Sequence, residues 1–201
     1  MFAYIKGSLE MKSSGYIVID INGLGYKIFM SQNNIDSIGE LHNIIKVFTY
    51  VKVREDDISI YGFNTNEELR MFELLLSVSG IGAKSAITIL SNISPSSFAL
   101  AVITNDVNAL KKLPGVGPKS AQRVILELKD KIKTEEAISK ENTTVEIKEA
   151  IIEDDKVQEA VSALQVLGYS KKEIEVAMEK LDTSSLSVED IIRQGLNNLA
   201  R

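Results

Sequence analysis

The sequence reads as an α+β multidomain chain, and three observations carry that reading. The first third is built of short runs rich in Ile, Val, Tyr and Phe. At Asn64 the apolar period changes from two to the helical 3.6. A 21-residue acidic stretch, 134–154, then separates a last group of helical segments from the rest. The expected architecture is a five-stranded OB-like β-barrel over 1–63, a helical domain over 64–133, a flexible acidic linker over 134–154 and a three-helix bundle over 155–201.

The strands are expected at Phe2 to Leu9, Tyr16 to Ile21, Gly25 to Met30, Ile45 to Val53 and Ile58 to Phe63. Ser13-Ser14-Gly15, Asn22-Gly23 and Asp56-Asp57 separate them as turns, and Asn22-Gly23 suits a tight hairpin. In the fourth run, Ile45, Val47, Thr49, Val51 and Val53 alternate with Lys46, Phe48, Tyr50, Lys52 and Arg54, which buries one face and leaves the other mixed. Five short strands in so few residues suit a small barrel.

Beyond Asn64, Thr65 and Glu68 form a capping box before Leu69, Phe72, Leu75 and Leu76. Short helices follow, punctuated by Gly and Pro. In the last segment Val157, Val161, Leu164 and Leu167 lie on one stripe that Gly168 stops. Ser170 and Glu173 make a second capping box, opening Ile174 to Leu181, and Ser187 with Asp190 opens a helix with Ile191, Ile192, Leu196 and Leu199. Leu164, Leu167, Tyr169, Ile174, Ala177 and Leu181 are read as core.

Composition excludes several classes of function. The 201-residue chain has no Cys, which removes disulfides, thiol catalysis and zinc knuckles, and its single His, His42, cannot build a histidine-rich metal site. No apolar run reaches the ~18 residues of a membrane span. The N-terminus lacks a signal-type apolar region, so a soluble, cytoplasmic protein is expected. The net charge of −5 argues at first against a nucleic-acid partner. Its distribution argues otherwise: 64–133 carries +3 while the stretch 134–154 carries −5.

One motif carries chemistry. Gly80-Ile-Gly-Ala-Lys-Ser-Ala86 recurs 35 residues later as Gly115-Val-Gly-Pro-Lys-Ser-Ala121, with five of seven positions identical. Each copy joins two helical runs. Two glycines around an apolar plug permit a tight turn and close approach of a partner to the backbone. The helix that follows begins with unpaired N–H groups and a partial positive charge, an anion site. Lys84 and Lys119 sit in that first turn, followed by Ser85 and Ser120, and Arg123 shares a helical face with Lys119. A nucleotide P-loop needs Gly directly before the Lys, and Ala83 and Pro118 stand there instead. The competing reading is a helix turn whose glycines serve packing alone.

This pattern resembles a tandem helix-hairpin-helix motif, which grips DNA phosphates without reading sequence. Together with Tyr4-Ile-Lys-Gly7, Val53-Arg-Glu-Asp56, Ile60-Tyr-Gly-Phe63 and Leu113-Pro-Gly-Val-Gly117, the chain resembles the RuvA family of Holliday-junction branch-migration subunits along essentially its full length. The resemblance implies DNA contacts at Gly80, Gly82, Lys84, Gly115, Gly117, Lys119, Ser120 and Arg123. Pro118 stands where some relatives carry a second basic residue. An acidic pin at Glu55 and Asp56, with Asp57 an additional acid, is implied to repel phosphates at the crossover of a four-way junction. Implied partners are four-way-junction DNA, further copies of the chain as a homotetramer or octamer, a RuvB-like ring ATPase contacting 155–201, and a RuvC-like junction resolvase. No catalytic residue, metal or cofactor is expected. The alternative is a helix-hairpin-helix repair nuclease or glycosylase, which needs a catalytic carboxylate cluster or a Lys/Asp pair near a hairpin.

Overall fold

The computed structural model describes residues 2–140, 155–179 and 181–199. Strands β1 (Tyr4–Ser13), β2 (Tyr16–Ile21), β3 (Leu24–Phe29), β4 (Ile44–Val53) and β5 (Ile58–Phe63) close into a barrel in the order β1-β2-β3-β5-β4. Only β3 and β5 pair in parallel; the other neighbours are antiparallel. The expected OB-like barrel is therefore present. Asn22 and Gly23 form its tight hairpin turn, both at positive φ (52° and 87°). A six-residue helix, α1 (Gln32–Ser37), links β3 to β4; it buries only Ile35 and left no helical period to read.

Alternation along β4 predicts its burial in part. Ile45, Val47 and Thr49 face the barrel interior, but Val53 is 69% exposed because the β4–β5 ribbon ends in a solvent-facing turn. The opposite face of β4 is mixed for a reason: Tyr50 packs against Phe72 of α2 (Asn66–Leu76), with ring centroids 5.4 Å apart. Phe72 also meets Tyr61 and Phe63 at 5.4 and 4.9 Å, so an aromatic seam joins barrel to helices. The Thr65–Glu68 capping box has both arms, and its Glu68 Oε2 also accepts from Asn34 Nδ2 (2.8 Å) and Asn64 N (3.0 Å). Desolvation in this joint raises the Glu68 pKa above the usual carboxylate value.

Helices α3 (Ala83–Leu90), α4 (Pro95–Ile103), α5 (Val107–Leu110) and α6 (Pro118–Lys140) follow. Residues 134–140, expected to open the linker, continue α6, and Glu135, Glu136 and Ala137 are good helix formers there. The remainder of the linker stretch, 141–154, lies outside the described residues.

The last three helices are α7 (Asp155–Val166), α8 (Lys171–Met178) and α9 (Val188–Leu199). Gly168 ends the first stripe at φ 81°, and the Ser170–Glu173 capping box is complete. The hydrogen bonds from Ser170 hold the Glu173 carboxyl below its usual pKa. Leu164, Leu167, Tyr169, Ile174 and Ala177 are buried, whereas Leu181 is only half-buried because α8 stops at Met178.

These helices do not form a separate core. α7 and α9 pack on α4, and Phe98, Val102, Leu164, Leu167, Ile191 and Ile192 belong to one apolar cluster. Three short helices bury too little surface alone, and α4 supplies the missing wall. Polar contacts fix the dock. Arg70 Nη1 donates to Gly168 O at 2.8 Å and its guanidinium lies 4.1 Å from the Tyr169 ring centre. Ser97 Oγ donates to Glu189 Oε1 at 2.6 Å. Burial, with the Glu67 charge adding to it, pushes the Tyr169 phenol up to about 12.

Candidate nucleic-acid interface

The two Gly-x-Gly copies fold into the same loop. In the first, Ile81 N donates to Val78 O (3.1 Å), and Ala86 N donates to Gly82 O (2.9 Å) as the first helical bond of α3. In the second, Val116 N donates to Leu113 O (3.0 Å) and Ala121 N to Gly117 O (2.9 Å). Gly80 and Gly115 lie at φ 90° and 79°, where a side chain is strained. Val116 is buried and Ile81 half-buried, as plugs should be.

Gly82 and Gly117 bear on the competing reading. Neither has a positive φ, and a Cβ built on either would meet nothing within 4 Å. Internal packing therefore does not require glycine at these two positions. Both precede the first turn of a helix, where N–H groups point outward and favour an anion. Lys84, Lys119, Ser120 and Arg123 are all exposed around these loops. So are Lys111 and Lys112, a basic pair directly before the second loop that the motif-based reading passed over.

Arg123 has a second attachment. Its Nη1 donates to Ser79 O at 3.4 Å, and its Nε lies 3.4 Å from Glu127 Oε1. Glu127 Oε2 in turn accepts from Ser79 N at 3.1 Å. Thus α6, which belongs to the second hairpin, grips the peptide that opens the first. Lys129, also basic and on α6, faces inward to the end of α4, donating to Ile103 O at 2.7 Å and Asn105 Oδ1 at 2.9 Å.

The residues expected to form the pin, Glu55 and Asp56, sit at the tip of the β4–β5 ribbon, apart from the hairpins in the chain. Arg54 N donates to Asp57 O at 2.8 Å and closes the turn. Glu55 and Asp56 are exposed. Asp57 is distinct: its carboxylate accepts from Ser59 Oγ, which ties it back to β5. Among the described residues no group of three or more His, Cys, Asp or Glu side chains could hold a metal ion. His42 is exposed, 3.5 Å from Glu10. Among the described residues no single helix is long and apolar enough to cross a membrane.

Comparison with known proteins covers the chain in three pieces. The RuvA N terminal domain model matches residues 1–62, the SAM-like helix-hairpin-helix tandem model 72–130, and the RuvA C-terminal domain model 155–200. Three relatives named Holliday junction branch migration complex subunit RuvA align along their whole length. The one from Acetivibrio thermocellus is 51% identical over 201 residues, covering 100% of both chains. That from Ruminiclostridium cellulolyticum is 44% identical over 199 residues, covering 99% of this chain and 100% of its own. That from Clostridium perfringens is 41% identical over 202 residues, covering 100% of both. With its barrel, its paired hairpins and its terminal helices all matched in order, the chain belongs to the RuvA family.

Proposed function

We propose that this chain binds four-way DNA junctions by their phosphate backbones, holds them open, and serves as the DNA-binding subunit of a branch-migration complex. One observation carries the phosphate-binding part: Gly82 and Gly117 are bare although, among the described residues, no atom stands where a Cβ would meet it within 4 Å. The space above each is reserved for something outside, at a helix start that favours an anion. The amides around Gly80, Gly82, Gly115 and Gly117 cradle phosphate oxygens. Lys84, Lys119, Ser120 and Arg123 add charge and donors. Contacts of this kind position DNA without reading it, which suits a crossover that moves through any sequence. The relatives' names support the junction as the substrate.

Glu55 and Asp56 act as a repelling pin at the crossover, and Asp57 shapes the turn that presents them. Four copies of the chain, or eight, surround the junction, which has four arms to hold. The helices from 155 onward, joined to α6 by the stretch 141–154, recruit a RuvB-like ring ATPase, and a RuvC-like resolvase acts on the held junction. The chain supplies no catalytic residue of its own; ATP hydrolysis belongs to the motor. It works in the cytoplasm, in recombination and repair.

The deciding experiment is a gel shift of a four-way junction against a linear duplex of the same length at equal salt. The junction is expected to bind more tightly; equal affinity removes the junction from the proposal. Replacing Glu55 and Asp56 by Gln and Asn is expected to keep or raise affinity while altering branch migration. A large loss of affinity contradicts the repulsion argument.

A further inference from the structure

The repeat is imperfect at two informative places. Ser79 precedes the first Gly-x-Gly where Pro114 precedes the second, and Ala83 follows the first where Pro118 follows the second. Each proline fixes its own φ and stiffens the second loop covalently. The first loop has no such ring. Its Ser79 peptide is instead held from outside at both ends, the N–H by Glu127 at 3.1 Å and the C=O by Arg123 at 3.4 Å. The two holders are one helical turn apart on α6 and pair with each other. Among the described residues nothing equivalent holds the second loop. The positions 35 residues before Arg123 and Glu127 are Thr88 and Asn92. Their side chains donate within their own segment, to Lys84 O (3.0 Å) and Thr88 O (2.7 Å). Pro114 has no N–H to give.

We propose that Glu127 is a positioning residue for DNA binding: by accepting the Ser79 amide and orienting Arg123, it sets the first phosphate loop in register with the second. This rests on the reading of both loops as phosphate grips. Two grips held in register engage one DNA together, and loosening either lowers the effective concentration of the second contact. Arg123 spends two of its five N–H groups on the clasp and keeps the others for phosphate. Glu127 is otherwise misplaced, since a carboxylate one turn from Arg123 repels the phosphates that Arg123 attracts.

That conflict provides the test. Charge alone says that Glu127→Ala tightens DNA binding. The clasp says that it weakens binding to both junction and duplex, by roughly three- to tenfold. Hydrogen exchange at the Ser79 amide then speeds up and the melting temperature stays put. Glu127→Gln keeps an acceptor oxygen and is expected to restore most of the affinity and the protection. Glu127→Ala binding as tightly as the wild type, or more tightly, overturns the proposal. A wild type that does not bind the junction at all fails the underlying reading instead, and the two failures are told apart by that control. Should Glu127→Ala melt early, Ser79→Pro decides the matter. It removes the donor and stiffens the loop as the second copy is stiffened, so adding Glu127→Ala to it costs only what the orientation of Arg123 contributes, less than in the wild-type background. A loss in the double variant as large as Glu127→Ala causes alone overturns the positioning role.

Discussion

The two hairpins share one backbone and differ in what holds it and what surrounds it. The second is closed by Pro114 and Pro118 and ringed by Lys111, Lys112 and Lys119. The first contains no proline, offers Lys84 alone, and relies on Arg123 and Glu127 of the other hairpin for its register. The same loop geometry is thus reached by covalent stiffness in one copy and by a hydrogen-bonded clasp in the other. The first loop is held by a helix of the second hairpin, while the second loop carries its own prolines. The largest share of DNA affinity should accordingly lie with the second.

The strongest way to break this asymmetry is to fill the bare glycines. Gly117→Val should lower junction affinity on the order of a hundredfold, because it displaces charge-assisted amide contacts to phosphate. Gly82→Val should cost less, about tenfold by the same reasoning. A Cβ at either position meets nothing within 4 Å, so each valine variant should lose no more than the ~1 kcal/mol that replacing glycine at a helix cap costs. Gly80→Ala and Gly115→Ala should each lose ~1–2 kcal/mol of stability through the left-handed φ. Equal affinity losses at 82 and 117 would refute the asymmetry, and a loss of several kcal/mol of stability in either valine variant would return those glycines to packing.

Much of this arrangement was legible in the sequence because it is local. Two copies of a seven-residue motif at a fixed offset identify the loops without any fold, and period-two alternation identifies the strands. What escaped is what joins distant segments. Lys119, Arg123 and Glu127 read as an i, i+4 ladder, but nothing in the spacing says that Ser79, 44 residues before Arg123, lies against it. The dock of the terminal helices on α4 was hidden for a related reason. Leu164, Leu167 and Ile192 look alike whether they bury against their own bundle or against Phe98. Asp57 is a local exception: the sequence does not distinguish it from Glu55 and Asp56, and the conformation of the turn and β5 brings Ser59 Oγ to its carboxylate.

A smaller effect sharpens the same comparison through charge. Lys119→Glu should weaken junction binding by roughly tenfold and flatten the salt dependence by about one to two counterions. Lys84→Glu should do the same in lesser degree, because its loop has fewer cations to share a phosphate with. The slope of log affinity against log salt, measured for both, separates lost phosphate contacts from a folding defect, which would not change the slope in this graded way. Identical slopes for the two variants would mean that both hairpins meet the same number of phosphates.

The smallest effect tests whether stiffness or charge matters more at one position. Pro118→Lys adds a cation at the first position of α6, next to Lys119. It also removes a ring that presets the helix start, which costs ~0.4–1 kcal/mol through the freedom of the unfolded chain. A fixed positive charge near a helix start opposes the helix dipole slightly. The gain is electrostatic and fades with salt, while the loss of preorganisation does not. The variant should therefore bind the junction about two- to threefold more tightly than the wild type at low salt and slightly less tightly at high salt. A titration over salt should show the two affinity curves crossing. Curves that never cross, with the lysine variant tighter throughout, would mean that Pro118 contributes no useful rigidity, and the contrast between a stiffened loop and a clasped one would then rest on Pro114 alone.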